Sequence, residues 1–458
     1  MSQTFDAIII GAGQAGPPLA GRLTAAGMKV ALIERKLIGG TCVNTGCMPT
    51  KALVASAYAA HLARRHDLGV IASDVRIDMK AVAARAQRVA SDARGRNEAW
   101  LGKMEGLTLL RGHARLTGPN KIMVDDLELT APRIFLNVGG RASVPDMPGV
   151  HDVPHLDNTD MVALDSLPAH LVVVGGSYIG LEFAQMYARF GAKVTVVERA
   201  ERLIAREDPE ISETIRAFLE AEGITVRTDA DCIGFKPHPS GAIVTVACRS
   251  GEPEVVGSHV LLAVGRRPNT DDLGLDAAGV ATDERGYIKV DDGLSTNVPG
   301  IWALGDCNGR GAFTHTAYND FEIVAANLLE GGDRKLSQRI TGYALYTDPP
   351  LGRAGMTETE ARAMGHDILV STRPMSRVGR AVEKGETLGM MKVIADRATR
   401  TILGAAILGT SGDEAIHGII DAMSAGEPYD TLRWAVPVHP TVSELIPTLL
   451  LGLNEGNT

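Results

Sequence analysis

An internal repeat limits the folds open to this chain. Residues 6–10 (DAIII) read as a short buried strand, followed by Gly11-Ala12-Gly13-Gln14-Ala15-Gly16, an Ala/Leu-rich helix, Gly27 and a second strand ending at Glu34. The same order returns downstream. Residues 171–174 (LVVV) lead into Gly175-Gly176-Ser177-Tyr178-Ile179-Gly180, a helix through Phe190, Gly191 and a strand ending at Glu198. Gly11 and Glu34 stand 23 residues apart, as do Gly175 and Glu198. In each copy the glycines permit a tight turn and close backbone approach, so that a pyrophosphate can sit on the helix N-terminus. The acid about 20 residues on is placed to accept from ribose hydroxyls. A lone copy of such a pattern is often an ordinary glycine turn. Two in register, each with its acid, predict an α/β chain with two Rossmann-like dinucleotide-binding domains. Ser177 takes the place of the middle glycine in the second copy, and Pro17 and Pro18 open the first helix, where a missing N–H costs little.

The rest of the composition narrows the class. A length of 458 residues leaves room for two to four domains of ~100–200 residues. At 45% hydrophobic residues the chain is too apolar for disorder. A net charge of −9 without a Lys/Arg-rich run argues against a nucleic-acid partner. Residues 7–21 are uncharged, but no cation precedes them and glycines and the proline pair interrupt them. They predict neither a signal peptide nor a membrane span. The five cysteines, at 42, 47, 232, 248 and 307, are odd in number and scattered, which fits a reducing, cytoplasmic setting.

Only Cys42 and Cys47 are close in sequence. They lie in Gly39-Gly40-Thr41-Cys42-Val43-Asn44-Thr45-Gly46-Cys47-Met48-Pro49-Thr50-Lys51, ahead of an Ala-rich helix to about Ala63. A helix N-terminus and a nearby Lys lower a thiolate pKa, so the pair reads as a reactive, redox-competent dithiol. Half of a metal site and two unrelated thiols are the competing readings. A metal site wants more Cys or His at ligand spacing, and none is near, so no metal is expected.

With these residues the sequence resembles the class I pyridine nucleotide-disulfide oxidoreductase family, the group of glutathione reductase, dihydrolipoamide dehydrogenase and mercuric reductase. GGTCVNTGCMPTK is similar to the family's redox-helix signature. Residues 294–309 (LSTNVPGIWALGDCNG) resemble its second FAD motif, 135–141 (FLNVGGR) a Gly-rich link beside FAD that more often holds Ala-Thr-Gly, and 261–268 (LLAVGRRP) the end of the NAD domain. Val438-His439-Pro440-Thr441-Val442-Ser443-Glu444 resembles a C-terminal motif whose His reaches across a dimer interface.

The resemblance implies a fold of FAD- and NAD(P)-binding Rossmann-like domains followed by a C-terminal α+β dimerisation domain. It implies limits of 1–151 and 269–337 for the two FAD-binding parts, 152–268 for the NAD(P)-binding domain and 338–458 for the dimerisation domain. That last region also reads as mixed α/β, with strands near 390–395 and 402–408, a helix from about 413 to 425 and an early turn at Pro349-Pro350. FAD would be held by Gly11, Gly13, Gly16, Glu34, Gly40, Thr41, Lys51, Gly140 and Asp306. The nicotinamide coenzyme would be held by Gly175, Ser177, Tyr178, Gly180, Glu198 and Gly265. Electrons would pass from reduced nicotinamide through FAD to the Cys42–Cys47 disulfide, with Cys47 against the flavin and Cys42 outermost. Tyr178 would cover the empty nicotinamide pocket, or else be a core aromatic. Lys51 and Glu182 would form an ion pair near the flavin, or else be routine helix charges. His439 of the partner subunit in a homodimer would move the proton, oriented by Glu444. A carboxylate at Glu198 suits a free 2′-hydroxyl and hence NADH, although Arg199, Arg202 and Arg206 offer a phosphate site for NADPH, or are a solvated charged loop.

The segments GRAGMTETEARAMG, DEAIHGIIDAMSAG and HPTVSELIPTLL are most similar to the mercuric reductase-like branch, and similar also to bacterial reductases of hypothiocyanous acid or reactive-chlorine products. Mercuric reductases usually end in a vicinal Cys pair, whereas here no Cys follows Cys307 and the tail reads LLLGLNEGNT; with the first strand beginning at about Phe5, no N-terminal metal-binding domain is expected either. The expected acceptor is a small disulfide or other thiol-reactive oxidant. The alternatives are a dihydrolipoamide dehydrogenase within a larger complex, an Hg(II) reductase, and a quinone- or oxygen-reducing flavoprotein with idle cysteines. Cys307 is expected to be a small buried residue.

Overall fold

The computed structural model describes residues 2–247 and 251–453, which leaves Cys248 and the end of the C-terminal tail outside the described residues. Two compact units gather non-contiguous stretches of chain: 1–52, 83–143 and 265–339 in the first, and 53–82, 144–264 and 340–458 in the second.

The first unit is built on a parallel sheet in the order Ile301–Ala303, Ile134–Leu136, Ala7–Ile10, Val30–Glu34, Leu107–Arg111. Ala7–Ile10 and Val30–Glu34 are buried at every residue, which is why 7–10 and 30–33 read as unbroken apolar runs, with only Glu34 charged at the strand end. Side chains alternate between faces. Ile9 and Leu32 pack with Leu19 and Leu23 of the helix Gly16–Ala25 and with Ile323 and Val324 of the helix Thr314–Leu329. Ile8, Ile10 and Ile33 pack on the other side with Leu116, Ile122 and Leu129 of a second, four-stranded sheet. The edge of that sheet is Ser2–Thr4, parallel to Leu127–Thr130. The sequence reading, which starts the first strand at about Phe5, misses it. All three residues are exposed, so the strand exists through backbone pairing and leaves no burial pattern to read.

The second unit repeats the parallel arrangement, in the order Thr225–Arg227, Lys193–Val197, His170–Val174, His259–Leu262, with the helix Tyr178–Phe190 rising from the turn after His170–Val174. Gly191, at φ 114°, stops that helix, a conformation glycine adopts without steric cost. Residues beyond 340 form an antiparallel sheet in the order Gly342–Leu345, Leu351–Gly355, Ile402–Leu408, Met390–Asp396, Ile368–Pro374. Two of its strands fall where the sequence puts them. The helix expected over 413–425 is divided into Gly412–Ala415 and His417–Ala425. Ile416 keeps helical dihedrals, but its carbonyl accepts from the N–H of Ile419 as well as of Ile420, so the turn there tightens. Mixed α/β architecture with two parallel dinucleotide-type sheets and a C-terminal α+β region is thus present. Among the described residues no helix is long and apolar enough to cross a membrane.

Candidate active site

The two turns of the repeat match in their hydrogen bonds as well as their letters. In the first, the Gly11 N–H donates to the Ile33 carbonyl at 2.8 Å; in the second, the Gly175 N–H donates to that of Val197 at 2.8 Å. Glu34 accepts from the Ala12 N–H at 2.9 Å and the Lys36 N–H at 2.7 Å. Glu198 accepts from the Gly176 N–H at 2.5 Å and the Ala200 N–H at 2.8 Å. Each acid is therefore locked onto its own glycine turn. The space beside the turns excludes side chains. A Cβ on Gly11 would strike the Asn137 carbonyl, one on Gly175 the Ala263 carbonyl, one on Gly16 the Gly11 carbonyl and one on Gly180 the Gly175 carbonyl. The middle position differs. A Cβ on Gly13 would lie 3.3 Å from the Asn137 amide nitrogen, which also sits 3.1 Å from the Cβ position of Gly16. At the equivalent wall of the second turn stands Ala263, with no such amide, and Ser177 is accommodated there in extended backbone at the helix N-cap.

The cysteine segment is laced to the first turn. The Gly39 N–H donates to the Ala12 carbonyl at 2.8 Å, and the Gln14 amide donates to the Gly39 carbonyl at 2.9 Å. Gly40, at φ 61°, approaches so closely that a Cβ there would be 2.9 Å from Gly13 Cα. Thr41 and Cys42 follow directly. A short helix, Gly40–Asn44, ends at Thr45, and Gly46 passes tightly under the Thr41 carbonyl before the helix Cys47–Arg64 begins. That tight passage folds Cys47 back onto Cys42. Asn44 fixes the loop by donating to the Ile38 and Gly40 carbonyls, and Arg94 donates to its amide oxygen at 3.0 Å.

The two thiols are coupled. Hydrogen bonding to Cys47, then burial and the negative charge that Cys47 can carry, hold the Cys42 thiol well above its ordinary range; Thr314 and the Lys51 ammonium pull the other way and lose. This corrects the expectation that the helix terminus and Lys51 make Cys42 acidic. Two adjacent sulfurs do not both bear charge, so one of them keeps a proton. Thr314 Oγ1 lies 3.3 Å from Cys47 Sγ, at the first residue of the helix Thr314–Leu329. Sequence reasoning missed Thr314, for its neighbours come from the other end of the first unit, and missed Asn137, whose only signal was the departure of FLNVGGR from Ala-Thr-Gly.

Gly140 and Asp306 meet in the same unit, with the Gly140 carbonyl accepting from Arg266 at 2.5 Å and Arg266 Nε 3.9 Å from the Asp306 carboxylate. Burial lifts the Asp306 carboxyl above its usual range against the pull of Arg266. Gly265, at φ 118°, caps that junction, its carbonyl accepting from the Ser143 N–H at 3.0 Å. Cys307 is fully buried, with its thiol pushed up to about 12 by burial, and is a core residue as expected. Tyr178, Glu182, Glu198, His439 and Glu444 belong to the second unit. Tyr178 opens its helix, and Glu182, one turn on, accepts from the Tyr346 N–H at 3.0 Å. His439 Nδ1 is 2.8 Å from Glu444 Oε2, and its ring is 79% exposed. Among the described residues no group of three or more His, Cys, Asp or Glu is arranged to hold a metal ion.

Comparison with known proteins agrees with this layout. Residues 5–320 match the pyridine nucleotide-disulphide oxidoreductase family, and residues 341–450 match the dimerisation domain of that family. The chain is 36% identical to the probable pyridine nucleotide-disulfide oxidoreductase RclA of Escherichia coli, covering 97% of this chain and 98% of that one. It is 34% identical to a dihydrolipoyl dehydrogenase of Thermus scotoductus, covering 96% of each, and 33% identical to a mercuric reductase of Streptomyces lividans, covering 96% and 94%. The solved structure of the HOCl-induced flavoprotein disulfide reductase RclA from Escherichia coli superposes with a TM-score of 0.89 at 35% identity, over 98% of this chain and 100% of that one. The dimerisation domain implies a homodimer, and FAD and NAD(P)H are the cofactors. With two acid-locked glycine turns and a coupled thiol pair laced to the first of them, the chain belongs to the pyridine nucleotide-disulfide oxidoreductase family.

Proposed function

We propose that this enzyme uses NADH, or NADPH, to reduce a small disulfide or thiol-reactive oxidant through the Cys42–Cys47 pair. The observation that carries the reading is the thiol pair folded back on itself, in a segment hydrogen bonded through Gly39 to the first glycine turn. The residues present fit the two cofactors. Gly11, Gly13 and Gly16 leave a side-chain-free wall for FAD's pyrophosphate, with Glu34 for its ribose. Gly40, Thr41, Lys51 and Gly140 would border it, and Asp306, poorly solvated by burial, would gain from hydroxyl donors. Gly175, Ser177, Gly180, Glu198 and Gly265 would hold the nicotinamide coenzyme, with Tyr178 over its nicotinamide end. Glu198 favours NADH because a carboxylate repels a 2′-phosphate. Bound FAD supplies two-electron transfer between the nicotinamide and the cysteine pair.

Within the pair, Cys47 takes the inner position and Cys42 attacks the substrate. Lys51, on the first turn of the redox helix, and Glu182 would supply the charges near the flavin that the family places there. His439 of the partner subunit moves the proton to and from the substrate sulfur, with Glu444 fixing its tautomer. The domain limits 1–151, 152–268, 269–337 and 338–458 suit these assignments, as does a cytoplasmic setting. Because the relative named for HOCl induction shares nearly the full length, the oxidant class we favour is the products of reactive-chlorine stress.

The test is anaerobic titration of the flavoprotein with NADH, then NADPH, with alkylation of thiols at each point. Both Cys42 and Cys47 should become alkylatable after two electrons, with a broad long-wavelength band that Cys47→Ser abolishes. Bleaching of the flavin with neither change would mean idle cysteines and a quinone- or oxygen-reducing enzyme.

A further inference from the structure

Tyr178 does not stand alone. Its ring meets that of Tyr343 edge-to-face, with centroids 5.2 Å apart and planes at 75°, and the Arg206 guanidinium lies 5.6 Å from the Tyr178 centroid. The Tyr343 hydroxyl donates to Glu207, and Arg353 grips the same carboxylate, its Nε 3.1 Å from Oε2. Tyr343 and Arg353 are direct cross-strand partners on Gly342–Leu345 and Leu351–Gly355, so one carboxylate closes both ends of a rung of the C-terminal sheet. The Glu207 and Arg353 side chains are 0% and 1% exposed. Charges so deeply buried persist only when paired, and losing a partner is costly.

The mounting continues on both sides. The Ile204 N–H, three residues before Glu207, donates to the Gly176 carbonyl in the second glycine turn at 2.9 Å. Along the helix Tyr178–Phe190, the chain after Tyr343 is tied at two further points. The Tyr346 N–H donates to Glu182, and Gln185 exchanges hydrogen bonds with the Asp348 backbone at 2.8 Å each way. Tyr343 is thus the point where a rigid strap along the helix meets the side chain at its start.

We propose that Tyr343, anchored by Glu207 and Arg353, is a latch that holds Tyr178 in its resting place and so sets the affinity for the nicotinamide end of the coenzyme. The proposal rests on the reading of Tyr178 as the cover of that pocket. Tyr343 is a positioning residue: it acts through Tyr178. A latch that favours the covered state lowers apparent affinity in proportion to the open fraction. Releasing it raises affinity by the same factor.

The experiment is calorimetric titration of the oxidised holoenzyme with NAD+ (or NADP+, if the wild type binds it more tightly), beside ADP-ribose, which lacks the nicotinamide. Tyr343→Phe keeps the ring and leaves Glu207 paired with Arg353, so the fold is retained. In the wild-type background it should tighten dinucleotide binding about tenfold or more, the scale of one hydrogen bond to a charged group, and leave ADP-ribose unchanged. Tyr178→Ala should tighten binding by itself, and adding Tyr343→Phe to it should then change nothing. Unchanged or weaker binding in Tyr343→Phe, or an equal shift for ADP-ribose, overturns the latch while the Tyr178 reading stands. No response to Tyr178→Ala would instead remove the cover reading, and the latch with it.

Discussion

At the scale of single residues, the thiol pair sets a chemical demand. Cys42 is held above its ordinary range, so at neutral pH its thiolate fraction in the reduced enzyme is small and grows as pH rises. A base beside it relieves that limit, and the His439–Glu444 pair has the geometry of one. Single-turnover reduction of a small disulfide by pre-reduced enzyme should therefore depend weakly on pH in the wild type. In His439→Ala it should be slower by about 10²–10⁴ near neutrality, with the gap closing as pH rises. A gap that stays constant with pH would assign His439 to another task. Residues of this kind were legible because their spacing is local: Cys42 with Cys47, His439 with Glu444, Gly11 with Glu34. Thr314 and Asn137 were not, since each acts on partners more than a hundred positions away, and nothing in a short motif announces that. Glu207 and Tyr343 were hidden for the same reason.

At the scale of elements, the repeat carries a sharper lesson about which glycines matter. A Cβ at Gly180 would run into the Gly175 carbonyl, whereas Ser177 already carries one without conflict. Gly180→Ala should cost roughly 1–3 kcal/mol of stability in urea denaturation and weaken NAD+ binding. Ser177→Gly should cost only about a few tenths of a kcal/mol, because its side chain makes no capping bond. Equal losses in both would mean that the turn does not constrain the backbone as described. Strands buried on both faces, such as Ala7–Ile10, declared themselves by composition alone. Ser2–Thr4 did not, being held by its backbone, and the tightening at Ile416 is a hydrogen-bond detail invisible to apolar periodicity.

At the scale of the whole molecule, the alternation of strand, glycine turn and helix foretold parallel sheets, and the two strands read near 390–395 and 402–408 prove to be neighbours in the C-terminal sheet. The grouping of 53–82 and 144–264 with 340–458 in one compact unit was not foretold, because tertiary packing decides it. The segment just ahead of His439 leads further. Trp434, Val436 and Val438 are 77%, 96% and 75% exposed on the single chain, on the stretch that leads to the His439–Glu444 pair. That stretch lies within residues 341–450, the match to the family's dimerisation domain. If His439 is lent across the dimer as proposed, subunit concentration becomes a term in the rate law. Specific activity, measured over a dilution series, should fall along a binding isotherm whose midpoint is the dimer dissociation constant, and an excess of the Cys42→Ser chain should restore it by lending its His439. For this enzyme, mass action among its own copies would do what an allosteric effector does elsewhere.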